Sequence, residues 1–71
     1  MVQLVVIDLD SGDQLLSTDI TTGVFADETP TVNDEVVIPN ATPEGPYKII
    51  HRRFVTDGIA EVRLLVRYAG Q

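Results

Sequence analysis

The sequence predicts a single all-β domain, built as a small barrel or compact sandwich of about five mostly antiparallel strands. Valine, isoleucine and threonine make up 23 of the 71 residues, and these β-branched side chains favour strands over helices. Glycine and proline interrupt the chain so often that no uninterrupted segment exceeds 11 residues, which argues against long helices. A chain of this length forms one hydrophobic core, so we expect residues 1–71 to be one domain.

The first strand is expected at residues 2–9, whose almost continuous apolar character indicates a central position in the sheet. A turn should follow, in which Gly12 can adopt a positive φ. Residues 14–25 are ambiguous. Asp13 can cap one helical turn there, whereas the serine and threonine pairs favour extended chain. Gly23 indicates a bend or bulge, after which we expect a return to a strand at Val24.

Residues 30–36 read Pro-Thr-Val-Asn-Asp-Glu-Val. They are similar to the Pro-x-Val-Gly-Asp-x-Val segment that precedes a strand in many small barrels of the SH3-like kind. Asn33 replaces the usual glycine, and asparagine is the next best residue for left-handed φ. The resemblance implies a turn followed by a strand at 35–38, and it implies no activity. A second loop, rich in proline, should then occupy residues 39–46.

The clearest element is a C-terminal β-hairpin, with strands at 47–55 and 59–68. The turn is expected at Thr56-Asp57-Gly58, with Gly58 in the left-handed position of a G1 bulge. That three-residue loop pairs Arg53 with Glu61 and Phe54 with Ala60. A two-residue loop would place Arg52 opposite Arg63, which is unfavourable because like charges repel. A four-residue loop, with Arg52 opposite Glu61, remains open.

The preferred register divides the hairpin into an apolar face and a charged face. The apolar face carries Ile50, Phe54, Ala60, Val62, Leu64, Val66 and Tyr68. The charged face carries His51, Arg53, Glu61, Arg63 and Arg67, whereas Lys48 and Arg52 lie on the other side. Leu65 is an apolar exception on the charged face. We interpret it as either a contact point or an ordinary surface leucine.

Charge is distributed unevenly along the chain. The first 47 residues contain no lysine or arginine, and nine of the eleven acids fall in the first 44. Residues 1–47 therefore carry a formal charge of −9, whereas residues 48–71 carry +3. Opposite charge patches steer association and select partners. The overall charge of −6 argues against general binding to nucleic acid, where phosphate neutralisation supplies most of the affinity.

Residues 5–10, Val-Val-Ile-Asp-Leu-Asp, resemble the first motif of the haloacid-dehalogenase phosphohydrolases. The resemblance implies Asp8 as nucleophile and Asp10 as general acid/base, with magnesium bound nearby. However, Gly12 stands where that family has a threonine, and 71 residues cannot build its doubly wound domain. We therefore interpret the segment as a strand that ends in a turn, and expect no catalytic residue and no cofactor.

Asp8, Asp10 and Asp13 could also be read as oxygen ligands of a weak calcium site. Their spacing does not fit an EF-hand loop, because Gly12 falls at its fifth position and no glutamate stands at its twelfth. The chain contains no cysteine, so it has neither a disulfide nor a thiolate metal site. We therefore expect no bound metal.

His51, the only histidine, could serve as a catalytic base only with Ser11 or Ser17 as nucleophile. Neither serine is surrounded by an elbow or oxyanion signature. The chain is therefore not expected to be an enzyme. No apolar run approaches the roughly 20 residues that span a bilayer, and no signal-peptide pattern opens the sequence. We expect a cytoplasmic protein with no membrane partner.

The leading functional hypothesis is a non-enzymatic protein-interaction module that self-associates as a homo-oligomer through complementary acidic and basic surfaces. Small domains without disulfides often depend on oligomerisation, and the charge segregation supplies two matching surfaces. The basic interaction surface is expected at His51, Arg53, Arg63, Leu65 and Arg67. One alternative is binding of single-stranded nucleic acid through the basic C-terminal hairpin. A further alternative is an acidic DNA mimic or inhibitor.

Overall fold

The computed structural model describes residues 2–56 and 60–70. Its strands are β1 (Gln3–Asp8), β2 (Gln14–Asp19), β3 (Glu35–Val36), β4 (Tyr47–Val55) and β5 (Glu61–Tyr68). They form one mixed sheet in the order β2-β1-β5-β4-β3, which curls into a half-barrel. The prediction of an all-β fold compatible with a small barrel of about five strands is confirmed. Within the described part of the chain, no helix has the length and apolar character to cross a membrane.

The centre of the sheet is a parallel pair formed by β1 and β5, with Leu4 opposite Val62 and Val6 opposite Leu64. The other three strand pairs are antiparallel, as predicted for most of the sheet. β1 therefore has a neighbouring strand on each side. Its continuous apolar sequence agrees with this central position, because interior strands are often apolar on both faces.

The hydrophobic core lies on the concave face of the sheet. Its buried members come from four strands and from the residues just after β3; they are Leu4, Val6, Val36, Ile38, Tyr47, Ile49, Val62, Leu64 and Val66. Partly buried apolar residues pack against them, including Ile20, Phe25 and Ala41 from the long loops. Because a single sheet needs a covering layer to bury its apolar face, these loops complete the core.

Tyr47 fastens the proline-rich loop to the sheet. Its side chain is buried, and its hydroxyl donates a hydrogen bond of 2.6 Å to the carbonyl oxygen of Pro43. The ring of Tyr68, its cross-strand partner, packs edge-on against it at a centroid distance of 5.7 Å. Burial raises the pKa of the Tyr47 hydroxyl, and the nearby Asp8 and Tyr68 raise it further.

The turn predictions depend on backbone conformations that few residues adopt easily. Gly12 has φ 79° and Asn33 has φ 77°, so these two of the predicted left-handed positions are confirmed. Asn40 and Gly45 also have positive φ values, of 73° and 134°. At Gly45 an added Cβ would lie 2.9 Å from the carbonyl oxygen of Val36, so close backbone approach requires glycine there as well.

The ambiguous segment 14–25 begins as a strand and ends in turns. After β2, the carboxylate of Asp19 accepts hydrogen bonds from the hydroxyl and amide of Thr21 and from the amide of Thr22. The side-chain bond from Thr21, followed by its backbone bond, lowers the pKa of Asp19. The predicted return to a strand at Val24 is wrong, because the chain continues there in turns.

The hairpin register differs from every alternative that the sequence suggested. Phe54 pairs with Val62, and Arg53 pairs with Arg63. The predicted pairing of Arg53 with Glu61 is therefore wrong, and Val55 takes that position opposite Glu61. The predicted turn residues Asp57 and Gly58 lie outside the described residues.

A β-bulge explains why the hairpin retains its core despite the changed register. Between Ile49 and His51 the register shifts by one residue, so Ile49 pairs with Val66 whereas His51 pairs with Leu65. Such a bulge places two residues of one strand opposite one residue of its partner. Because the bulge falls at Ile50, the predicted apolar face is divided, and Ile50 does not join the buried core.

Candidate protein-interaction surfaces

The sequence-predicted interaction residues share the outer, convex face of the hairpin. The register places His51 opposite Leu65 and Arg53 opposite Arg63, and directly opposed residues project to the same face. Arg67 lies two residues after Leu65 on the same strand, so it also projects to this face.

The bulge adds Lys48 to the outer face, because it pairs with Arg67. The prediction that Lys48 lies on the other side of the hairpin is therefore wrong. The altered register between Ile49 and His51 brings Lys48 onto the face of His51 and Arg53. The cationic face of β4 is thus longer than the sequence pattern indicated.

Leu65 is not an exposed contact point on this face. Its side chain is only 8% exposed, and it lies opposite Ile7 of the neighbouring parallel strand. Val5 is buried on the same face and pairs with Arg63. An arginine can lay its aliphatic stem over apolar neighbours while its guanidinium remains in water. Leu65 therefore belongs to a small covered apolar row on the outer face.

Two of the predicted interaction residues are already engaged in ion pairs within the chain. Arg63 contacts the carboxylate of Glu61, and Arg67 lies 3.4 Å from a carboxylate oxygen of Asp10. Exposed pairs of this kind contribute about 0–1 kcal/mol each. They nevertheless neutralise part of the basic face, so Arg63 and Arg67 are less available to a partner than the sequence alone indicates.

The cationic residues of β4 lack such partners. Among residues 2–56 and 60–70, no carboxylate lies within 4.0 Å of the side chains of Lys48, His51 or Arg53. Arg52 instead lies over the ring of Phe54, with its guanidinium carbon 5.0 Å from the ring centroid. We call these four basic residues, Lys48, His51, Arg52 and Arg53, the cationic strand. Arg52 is opposite Leu64 and projects from the inner face with Phe54, whereas the other three project from the outer face.

Phe54 is 65% exposed, so the prediction that it joins the core is wrong. Phe54 is opposite Val62, so it projects from the inner face of the sheet, but it is not among the residues that pack against the core. The part of β4 beyond Lys48 also has no strand on the β3 side in the described structure.

An acidic cleft lies beside β3, with a volume of about 430 Å³. Its lining residues are Phe25, Glu28, Pro30, Asp34, Glu35, Val36 and Val37. Three are carboxylic acids and none is basic, so the lining combines negative charge with apolar side chains. We call this set the acidic cleft.

Sequence reasoning missed this site as a unit, because its lining comes from two segments that meet only in the folded chain. A signal was nevertheless present. Acidic pairs at 27–28 and 34–35 flank Pro30, and two valines follow directly. A turn at such a position brings the two acidic pairs onto neighbouring stretches of chain.

The aspartates that resembled a phosphohydrolase motif are used in a local turn. Asp8 accepts hydrogen bonds from the amide of Asp10 and the hydroxyl of Ser11, at 3.0 and 3.2 Å. The amide of Asp13 donates to the same serine hydroxyl at 3.2 Å. In the described part of the chain, no group of three or more histidine, cysteine or acidic side chains is arranged to hold a metal ion.

The two candidate serines do not form a catalytic pair with His51. Ser11 donates to Asp8, and Ser17 donates to the side-chain oxygen of Gln3 at 3.3 Å. Ser17 lies on β2 and His51 on β4, with β1 and β5 between them. Three strand spacings amount to about 14 Å, which is too far for proton transfer.

Comparison with known proteins adds no family to this description. Neither a protein-family model, nor a curated protein sequence, nor a solved structure matches the chain. The SH3-like form of the barrel therefore stays a prediction that rests on residues 30–36, where the expected turn and the start of the expected strand are present.

Proposed function

We propose that this protein is a non-enzymatic interaction module that self-associates through complementary acidic and basic surfaces. The observation that carries the proposal is that the cationic strand has no carboxylate partner in the described residues, whereas the acidic cleft contains no basic lining residue. Opposite surfaces on identical chains can satisfy one another by pairing between copies. Electrostatic complementarity would then set the register of the contact.

The small size of the domain supports the same proposal. A chain of 71 residues buries only about 60% of the surface that its unfolded form exposes. It also contains no disulfide to compensate. Contact with a second copy would bury additional apolar surface, such as the exposed side chains of Phe54 and Val37.

Salt dependence provides the first test. The mass of the full chain would be measured by sedimentation velocity over a range of concentrations, at low and at high salt. We expect multiples of 7.8 kDa at low salt and a shift toward the monomer at high salt. The reason is that the Debye length falls from about 30 Å at 0.01 M to about 3 Å at 1 M salt. A strict monomer under all these conditions would refute the proposal.

Two matched charge reversals would locate the basic surface. Arg53→Glu reverses the charge of an arginine that has no carboxylate partner among residues 2–56 and 60–70, whereas Arg67→Glu makes the same change at a residue already paired with Asp10. Arg53→Glu should weaken self-association by about tenfold or more at low salt, since like-charge contacts are costly. Arg67→Glu should have a much smaller effect. Equal effects would mean that net charge, and not this surface, governs assembly.

The same samples distinguish self-association from the binding of single-stranded nucleic acid. A labelled single-stranded oligonucleotide would be added at low salt, and its fluorescence anisotropy followed. Because the chain is acidic overall, we expect no binding at protein concentrations that support self-association. Binding that also dissociates the oligomer would instead assign the cationic strand to nucleic acid and overturn the proposal.

A further inference from the structure

We propose that Arg52 and Phe54 together form an anchor that occupies the acidic cleft of a second copy, in a reciprocal two-fold dimer. This inference rests on the proposed function and names the contact that would perform it. Arg52 lies over the Phe54 ring at 5.0 Å, so the pair presents a cation and an aromatic surface as one unit. Arginine and aromatic residues are enriched among those that dominate interface energies.

The anchor is positioned to reach another molecule. It lies on the part of β4 that continues beyond β3, and its aromatic ring is 65% exposed. Opposite it on β5 are Leu64 and Val62, both buried. The pairing with β5 therefore holds the backbone of the anchor in place, and little backbone ordering would be needed on binding.

The acidic cleft has the chemistry to receive this unit. Phe25, Val36 and Val37 provide apolar lining for an aromatic ring, and three carboxylates surround them. Asp34 already accepts hydrogen bonds from the amide and hydroxyl of Thr31. Glu28 and Glu35 make no ion pair with another residue of the described chain. Their carboxylates can therefore accept bonds from a guanidinium group, which has five donors.

The anchor cannot fill the cleft of its own chain. Glu35 of the cleft pairs with Lys48, whereas Phe54 is six residues further along the same strand. At about 3.3 Å per residue, the separation along β4 is roughly 20 Å. Residues 51–55 of β4 remain paired with β5, so this part of the strand is not free to fold back over β3. The contact has to form between copies.

A two-fold arrangement would satisfy both sites, because the anchor lies on β4 and part of the cleft lies on the neighbouring β3. Each copy carries one anchor and one cleft, about 20 Å apart along a single strand. A two-fold axis between two such units places each anchor at the cleft of the other copy. Both contacts are then satisfied at once, and the assembly closes as a dimer.

A charge exchange between copies tests the contact directly. Arg52→Glu makes the anchor acidic, and Glu28→Arg places a cation on the rim of the cleft. Each variant alone should lose dimer affinity by about tenfold or more at low salt, because each contact then opposes like charges. An equimolar mixture should recover dimerisation, since the new glutamate meets the new arginine while the second contact stays native. Sedimentation velocity would report the mass in all three samples.

A second variant pair tests the aromatic half of the anchor. Phe54→Ser removes an exposed ring on β4. Leu9→Ser removes an apolar side chain that is 36% exposed and lies in the turn between β1 and β2. Phe54→Ser should reduce dimer affinity by about tenfold, as is typical for residues that cost more than about 1.4 kcal/mol when truncated. Leu9→Ser should leave it unchanged. Far-UV circular dichroism would verify that each variant is folded.

The outcomes separate this inference from the proposed function. A wild-type monomer at every salt concentration would refute both. A salt-sensitive wild-type dimer that persists unchanged in Arg52→Glu and Phe54→Ser would refute the anchor alone. Failure of the mixed variants to recover dimerisation would also refute it. A mass that grows continuously with concentration would replace the closed dimer by an open chain and overturn the two-fold arrangement.

Discussion

Tyr47 contributes to two parts of the molecule, the core of the sheet and the proline-rich loop. Its ring belongs to the core of the sheet, and its hydroxyl reaches the loop at Pro43. A buried hydroxyl needs a partner because burial without a hydrogen bond costs free energy. At this residue the apolar requirement of the core and the polar requirement of the loop are met by one side chain.

Replacement of Tyr47 by phenylalanine should lower the free energy of unfolding by about 1 kcal/mol, the usual contribution of one hydrogen bond. The pH dependence should change as well. Because the pKa of Tyr47 is raised in the folded state, its contribution is complete below the unfolded value near 10. That contribution is lost as pH rises through the folded value. Urea titrations from pH 7 to 11 would measure both effects.

The matched control is Tyr68→Phe, which removes the hydroxyl of the more exposed ring of the pair. Its effect at neutral pH should be smaller than that of Tyr47→Phe. If the two substitutions destabilise equally, the bond to Pro43 does not explain the role of Tyr47.

Asp19 should make the stability of the fold depend on pH in the acid range. Its pKa is lowered by its bonds to Thr21 and Thr22, so its stabilising contribution is present above the unfolded value near 3.9. It is lost as pH falls through the lower, folded value. Asp19→Asn should therefore flatten the acid branch of a plot of melting temperature against pH. A variant whose acid branch coincides with that of the wild type would contradict this assignment.

At the scale of elements, strand positions followed from local signals. β4 occupies the predicted residues, and the turn before β3 has the predicted left-handed Asn33. These features depend on alternation and on the conformational preferences of single residues, which the sequence displays directly.

Pairing between distant segments could not be predicted in the same way. The parallel contact of β1 with β5, the bulge at Ile50 and the short β3 arise from the packing of the whole core. The bulge kept Tyr47 and Ile49 in the core at the cost of placing Arg53 opposite Arg63. Core packing therefore outweighed the weaker cross-strand charge preference that guided the prediction.

The candidate sites were predicted only in part for the same reason. The shared face of His51, Arg53, Arg63 and Arg67 follows from alternation along two strands. By contrast, the exposure of Phe54 depends on which segments pack over the inner face of the sheet. The cleft depends on the contact of the loop at 25–30 with β3 and its flanking residues.

Substitutions at Asn33 test whether the positive φ of the turn before β3 limits stability. Asn33→Gly should have little effect on stability, because glycine adopts positive φ readily. Asn33→Ala should destabilise the fold by about 1 kcal/mol, since φ is 77° there and Cβ clashes in the left-handed region. Thermal unfolding of the two variants would be compared. Equal stability of the glycine and alanine variants would show that φ at this turn is not limiting.

Leu64 and Leu65 test the division between the two faces of β5. Leu64 is completely buried in the core, whereas Leu65 is covered on the outer face. Leu64→Ala should cost about 2–5 kcal/mol, because it leaves a cavity among fixed neighbours. Leu65→Ala should cost less, since side chains on the outer face can relax into the space. Chemical denaturation would rank them, and a larger loss for Leu65→Ala would contradict the assignment of faces.

At the scale of the whole molecule, the charge asymmetry of the sequence becomes a separation of surfaces. Carboxylates in the turns form ion pairs with some of the basic side chains, as Asp10 does with Arg67. The cationic strand and the acidic cleft are left without partners of this kind in the described chain. Lys48 is the cross-strand partner of Glu35 in the cleft, whereas Phe54 lies six residues further along β4, roughly 20 Å away.

Self-association should therefore be linked to folding. If only the folded chain dimerises, the melting temperature rises with protein concentration, because mass action favours the folded dimer. We expect this rise at low salt and its reduction at high salt. Calorimetric scans over a hundredfold range of concentration would measure it. A melting temperature independent of concentration, in a sample shown to be dimeric, would contradict the linkage.

The parallel pair of β1 and β5 at the centre of the sheet also has a consequence for synthesis on the ribosome. β1 emerges before the other four strands, but one of its two neighbours, β5, is the last of the five to be translated. Contacts between such distant segments slow folding, because a long loop has to close before they form. The nascent chain therefore carries an apolar strand with one unpaired edge until β5 leaves the exit tunnel. We expect the fold to be completed only after translation of this segment.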